Sequence, residues 1–360
     1  MLKVGFSDIL FSHGRWSLKI FKIIDYLLGS LVAGILPSQK ISSSFHNATA
    51  RVLIIRPGGI GDAVFLLPIL KALKAKGVSV DILCEKRNEQ VFSSQGYPTY
   101  FYNQLGGVLS KPYDAIVDTE QWHYLSAIVS YFGKTEYRIG FATRPLRAKL
   151  FNKRVVYGGN DYELDNFLKL FEDSLSQQVV CDVNNSFDVP QSMKLWASQQ
   201  IPENSVTIFL GSSITLRRFS QEQIIEIAED LLAQNLHPVF LGGRDVAQGA
   251  AEIVGRINNS GVFNFVGKTS LMESAALIGR SQRLISPDSG LMHLACAVGT
   301  PVLAVFGPGH LEKWQPKGAG HEVITKNVSC SPCTRFGYTL PTCQGTYHCV
   351  RNIKIEGLRK

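Results

Sequence analysis

Between Arg283 and Pro308 the chain changes polarity in blocks, RLISPDSGLMHLACAVGTPVLAVFGP. Leu284 and Ile285 open an apolar run and residues 287–290 make a polar corner. A helix-length segment follows, and Gly299-Thr300-Pro301 breaks it before the β-rich VLAVF. This order predicts strand, turn, helix, turn, strand, a single βαβ unit. Ser289 and Gly290 fall where the helix begins, so unpaired backbone N–H groups and the positive end of the helix dipole point beyond the strand's carboxyl end. An anion fits there. A helix capped by Asp288 or Ser289, with no ligand, produces the same pattern.

A second unit of this kind stands earlier. Residues 51–56 (RVLIIR) read as a buried strand, 57–61 as a tight glycine turn, 62–76 as a helix ending at Gly77, and 78–83 as the next strand. Gly59, Gly61 and the later Glu85 invite comparison with a dinucleotide fingerprint, but the third glycine position is Val64. Asp62 also sets a carboxylate where a pyrophosphate would lie. At a helix N-terminus an aspartate stays ionised and can accept a proton from a substrate hydroxyl; a simple N-cap is the alternative.

Strands over 115–118 and 137–141 and a helix over 164–174 continue the alternation. A strand over 205–210 opens a second α/β region, followed by Gly211, Ser212 and Ser213, then Arg217-Arg218-Phe219 before a helix over 221–234. Glycine, hydroxyls and guanidinium groups after a strand suit a diphosphate, and two arginines on a solvated loop are the plain alternative. The expected domains are a leading helix and linker (1–50), then α/β domains over 51–190 and 191–360.

Within 18–36, LKIFKIIDYLLGSLVAGIL places Ile20, Ile24, Leu27, Leu28, Leu31 and Ile35 on one helical face, with Lys19, Lys22 and Asp25 away from it. The uncharged part begins after Asp25 and is too short to span a bilayer comfortably, so the first reading is a helix lying in a membrane surface. A helix packed on the protein's own core is the second. Residues 38–50, with Ser42, Ser43 and Ser44, read as a linker.

Charge and composition narrow the partners. The 360 residues carry 37 Lys plus Arg against 29 Asp plus Glu, a net charge of +8 that suits an acidic partner. Nucleic acid is set aside, since zinc-finger spacing, RNP-type aromatics and basic repeats are all missing from the sequence. Cys84, Cys181 and Cys296 look like buried thiols of a cytosolic protein. The start shows no signal-peptide cleavage pattern, so export is not expected. Cys330, Cys333, Cys343 and Cys349 follow C-x2-C-x9-C-x5-C beside His348, a spacing open to a metal knuckle, disulfides or free thiols. The irregular middle spacer weighs against the metal, and none is assigned.

With Gly61-Asp62, the Arg217 loop and the DSGLMH run of 288–293 in place, the chain resembles glycosyltransferase family 9, the bacterial lipopolysaccharide heptosyltransferases. The likeness runs from about Arg51 to Ile353 and includes RPGGIGDAVFLLPIL, FVGKTSLMESAALI, PDSGLMHLACAVGTPVLAVFGP and Trp314-Gln315-Pro316. It implies a GT-B fold, α/β with two Rossmann-like domains facing across a cleft, the C-terminal one holding the donor nucleotide. It also implies that Asp62 is the base in an inverting displacement and that Asp288 is the acid contacting the donor sugar. Ser289, Gly290 and His293 would lie in the phosphate-facing turn and helix. Arg217 takes the place of a diphosphate-binding lysine, in Arg-Arg-Phe where Lys-x-Trp is common; arginine keeps the charge and adds a bidentate fork. His293 alone has a plainer reading, a histidine packed on a helix face.

The resemblance further implies a nucleotide-sugar donor, most simply ADP-heptose, a lipid-linked saccharide acceptor, and a cytoplasmic enzyme peripheral on the inner membrane face. No acidic D-x-D pair stands where a metal-dependent transferase wants one, so metal-independent catalysis without a cofactor is expected. A nicotinamide-dependent oxidoreductase would rest on Gly59, Gly61 and Glu85. A sugar-nucleotide-binding protein without catalysis would keep Arg217 and Asp288 and tolerate loss of Asp62.

Overall fold

The computed structural model describes residues 16–41, 50–172, 181–326, 328–335, 338–339, 343, 348–351 and 353. The chain divides into two compact units, Met1–Val183 and Asn184–Lys360.

In the first unit six parallel strands are ordered β3-β2-β1-β4-β5-β6, with β1 Arg51–Arg56, β2 Ser79–Cys84, β3 Thr99–Tyr100, β4 Ala115–Asp118, β5 Arg138–Phe141 and β6 Lys153–Val155. RVLIIR forms a strand because its apolar run has no alternation; Val52 to Arg56 are all buried, as expected for a parallel sheet covered on both faces. Chain order reverses between β1 and β4, which pair with Val52 opposite Ala115 and Ile55 opposite Asp118. At such a switch point the loops after the two strands diverge and leave room for a ligand beyond the carboxyl ends. The helix Ile60–Ala75 leaves β1 there, with Ala63 to Leu70 buried without interruption.

The second unit repeats this connectivity. Its order is β12-β11-β10-β7-β8-β9, with β7 Ser205–Phe209, β8 His237–Leu241, β9 Phe263–Asn264, β10 Arg283–Pro287, β11 Val302–Phe306 and β12 Glu322–Thr325. The switch point lies between β7 and β10, paired from Arg283↔Val206 to Ile285↔Ile208. Val206, Ile208, Ile285, Leu303 and Val305 meet Ile224, Ile227 and Leu231 of the helix Gln221–Ala233 in one core. The chain's C-terminal part returns to this core: Gln223 Nε2 donates to the carbonyls of Val350 (2.8 Å) and Ile353 (3.1 Å).

The leading helical segment belongs to the first unit. It runs through Trp16–Ile24, a π-helical turn Asp25–Gly29 and Ser30–Ile35. Asp25, Gly29 and Ala33, spaced by four, share the face turned to the domain and are all buried. The Asp25 carboxylate accepts from the Tyr124 N–H (3.0 Å) and the Leu125 N–H (2.7 Å), capping the helix Tyr124–Phe132. A Cβ on Gly29 would lie 2.6 Å from Tyr124 Cβ. Asp25, which lies away from the apolar stripe as expected, is therefore the docking group. The second reading holds in part, since Ala33 and Leu36 pack with Tyr124, Ala127, Leu150 and Phe151, while the predicted stripe of Ile20, Ile24, Leu27, Leu28, Leu31 and Ile35 stays exposed. No helix among the described residues is long and apolar enough to cross a membrane. Ser42, Ser43 and Ser44 lie outside the described residues.

Candidate functional sites at the two switch points

After β1, Gly58 takes φ +114°, a conformation that L side chains rarely adopt, and a Cβ there would stand 3.0 Å from Arg56 Nη2. Gly59 holds the N-cap position, Ile60 and Gly61 follow, and Asp62 is the third residue of the helix. A carboxylate in this first turn interacts favourably with the helix dipole. Its side chain is 23% exposed, and Oδ2 stands 3.7 Å from Nη2 of Arg56, which is itself 1% exposed.

Arg56 is the centre of a network that sequence reasoning missed. Its Nε donates to the Pro57 carbonyl (2.6 Å), Nη1 to the Thr119 carbonyl (2.9 Å) and Nη2 to Glu120 Oε2 (3.2 Å). Burial disfavours its charge, but Asp62, Glu120, Glu163 and Asp118 together raise its pKa. Glu120 follows β4 across the switch point. Burial pushes its carboxyl up, but His123, Arg56, the Trp122 N–H and Arg147 outweigh this and bring it to about 2. Beneath them Arg147 donates to Asp118 Oδ2 (2.6 Å) and to the carbonyls of Phe141 (2.6 Å) and His123 (3.0 Å). Burial raises Asp118 to about 6 against that pairing. The leading helix also reaches this edge: Phe21 lies 6.3 Å from the His123 ring, and burial pulls Lys22 down to about 8, with Glu120 raising it and Arg87 lowering it. Glu85, the ribose acceptor of the dinucleotide alternative, pairs with Arg87 Nε at 2.7 Å.

In the second unit the sequence-selected residues gather at β7 and β10. Arg217 lies on the short turn Thr215–Arg217, and its Nη1 is 3.0 Å from Asp288 Oδ2 just beyond β10. The two are close in charge but poorly aligned for bonding. Asp288 Oδ2 and Arg217 Nε are both buried and make no hydrogen bond among the described residues. Burial raises the Asp288 carboxyl while Arg217 and His310 lower it. Ser289 is the N-cap of the helix Gly290–Val298: its Oγ accepts from Met292 N–H (3.4 Å) and lies 2.9 Å from Ser286 Oγ. Ser289 is thus the residue that caps this helix, and Gly290 opens it without a side chain. Buried Ser212 donates to the Asp288 carbonyl (3.4 Å), Gly211 is buried against Phe209, and Ser213 is exposed.

The neighbouring arginine has a different place. Arg218 donates twice to the Ser212 carbonyl (3.0 and 2.7 Å) and pairs with Asp245 at 2.6 Å, bracing the loop that carries Arg217. His293 is buried 6.2 Å from the Trp314 ring; burial first, then Arg217, lowers its pKa to about 3. His310 and buried Lys313, neither selected from the sequence, border the same site: burial first, then Lys313 and Arg217, lower the His310 pKa, and Lys313 Nζ is 5.4 Å from the Trp314 ring. Gly309 is required for close approach, since a Cβ there would fall 2.0 Å from Asp288 Oδ2.

All seven cysteines are free thiols, so no disulfide joins the C-terminal four. Burial raises Cys349 to about 11, and Cys333, Cys343 and Cys330 add to it. Among the described residues no three His, Cys, Asp or Glu side chains are grouped to hold a metal ion.

Two Rossmann-like units, each with polar residues collected at its switch point, define the GT-B class of fold. The model of glycosyltransferase family 9 (heptosyltransferase) matches residues 104–342, and the chain belongs to that family. It is 23% identical over 301 residues to lipopolysaccharide heptosyltransferase 2 of Salmonella typhimurium, covering 72% of this chain and 83% of the relative. Among solved structures it resembles the Escherichia coli ADP-heptose lipopolysaccharide heptosyltransferase II, with TM-score 0.67, 20% identity, and coverage of 77% of this chain and 90% of that one. A family 9 glycosyltransferase from Veillonella parvula gives TM-score 0.69 at 16% identity, covering 78% and 88%.

Proposed function

We propose that this protein transfers a heptose from ADP-heptose to a hydroxyl of a lipid-linked saccharide of the lipopolysaccharide inner core, with inversion and without a metal. The observation that carries the reading is the pairing of Arg217 with Asp288 at the second unit's switch point, beside a helix N-terminus. Guanidinium and backbone N–H groups suit a diphosphate, and a carboxylate suits sugar hydroxyls. The names of the similar enzymes, with ADP-heptose as their donor, favour that nucleotide sugar.

In the proposed step one Asp62 carboxylate oxygen takes the proton of the acceptor hydroxyl. The freed oxygen lone pair forms the new bond to the anomeric carbon from the face opposite the diphosphate. The carbon–oxygen bond to the diphosphate breaks, its electrons leave with ADP, and the configuration inverts. Charge building on the leaving group is met by Arg217 and the helix dipole, which supply the stabilisation otherwise sought from a metal ion. The free thiols suit a reducing, cytoplasmic location.

Calorimetric titration with ADP-heptose, a GDP-sugar and a UDP-sugar tests the donor, and the anomeric configuration of the product tests the stereochemistry. Saturable binding of ADP-heptose alone and an inverted linkage are expected. Tighter binding of another nucleotide sugar would replace the donor assignment, and a retained configuration would remove the single displacement.

A further inference from the structure

The apolar stripe on the leading helix has no place in the transfer step. Ile20, Leu28, Leu31 and Ile35 are 53%, 58%, 61% and 76% exposed, and Ile24, Leu27 and Ile41 are exposed with them. Contiguous apolar exposure of this kind marks an interaction surface. The segment cannot roll over to hide it, because Asp25 caps the helix Tyr124–Phe132 and Gly29 and Ala33 are seated against the domain.

Charge at the rim selects the occupant. Arg144 stacks over the Tyr26 ring at 4.9 Å, Lys149 Nζ donates to the Gly34 carbonyl at 2.9 Å, and Arg154 Nη2 reaches the Gln39 carbonyl at 3.4 Å. Lys40 is exposed on the same stretch. Among the described residues the acidic groups set against the segment are Asp25, committed to capping, and Glu120, committed to Arg56. We infer that this face seats the first unit on an anionic bilayer, the apolar side chains entering the headgroup boundary and the arginines and lysines meeting lipid phosphates. A cationic rim of one sign repels a second copy of itself and attracts anionic lipid. The same segment brings Phe21 to His123, three residues after Glu120, and Glu120 shares Arg56 with Asp62, so the seat adjoins the edge where Asp62 stands.

Cosedimentation of the full chain with vesicles tests this. Binding is expected to mixed phosphatidylglycerol and phosphatidylcholine, to weaken with salt, and to be much poorer with phosphatidylcholine alone. Leu28→Glu with Leu31→Glu, and separately Lys40→Glu with Arg154→Glu, should each lower partition at least about tenfold. Thermal melts of these exposed-site variants should match the parent. Their transfer to a soluble, delipidated acceptor should also match, which separates failure of the seat from failure of the reaction assignment. Unchanged vesicle binding in the leucine variant would overturn the inference. So would a dimer in sedimentation velocity that the leucine variant dissolves, since that would assign the face to a second copy.

Discussion

Nη2 of the buried Arg56 lies 3.7 Å from Asp62 Oδ2 and 3.2 Å from Glu120 Oε2, so one guanidinium links carboxylates that follow β1 and β4 on the two sides of the first switch point. Arg56→Ala would leave buried Glu120 without the guanidinium it pairs with. Removing one member of such a pair costs about 3–5 kcal/mol. Chemical denaturation should show a loss of that order, and a loss near zero would mean that the network does not hold this edge.

Arg217 and Arg218 are adjacent in sequence and separate in role. Arg217→Ala is expected to weaken ADP-heptose binding about 10- to 100-fold, the range for losing charge-assisted hydrogen bonds. Arg218→Ala should instead lower the melting temperature by freeing the Ser212 loop. Calorimetry and thermal melts on both variants check the division; equal effects on donor binding would collapse it.

Gly309→Ala places a methyl 2.0 Å from Asp288 Oδ2, so Asp288 must shift away from Arg217. Donor binding should fall while the circular dichroism spectrum stays that of the parent. Retained donor affinity would show that Asp288 is free to move without consequence.

His293 makes the second unit acid-sensitive. Its folded pKa of about 3 is below the ordinary 6.5, so between those values the unfolded chain takes up a proton that the folded one does not. The contribution is fully present above pH 6.5 and is lost as pH falls toward 3. Near pH 5 one proton of difference corresponds to about 1.4 kcal/mol per pH unit. Urea unfolding of His293→Gln between pH 7 and 4 should show a slope shallower by about that amount; an unchanged slope would contradict the burial argument.

Legibility in the sequence followed distance along the chain. Gly61-Asp62 and Asp288-Ser289-Gly290 are local signals, a breaker and a polar residue between an apolar strand and a helix, and they fall at the helix starts. The Arg56 network is not local. Glu120 comes beside Arg56 only because β4 pairs parallel to β1, a register that no window of periodicity contains. The available hint was a charged residue closing each apolar run, Arg56 after VLII and Asp118 after AIV. His310 and Lys313 border a four-residue helix, Leu311–Trp314, too short to show a period. The leading helix was legible as a stripe. That Asp25 would be its buried anchor was not, since capping is decided by where the Tyr124 helix begins.

The central claim is that Asp62 takes the acceptor proton, and Asp62→Asn tests it most directly. Turnover with ADP-heptose and a lipopolysaccharide core acceptor should fall by at least about 100-fold, the contribution of a positioned general base, while the calorimetric affinity for ADP-heptose stays at the parent value. Near-parental turnover in Asp62→Asn would contradict the account.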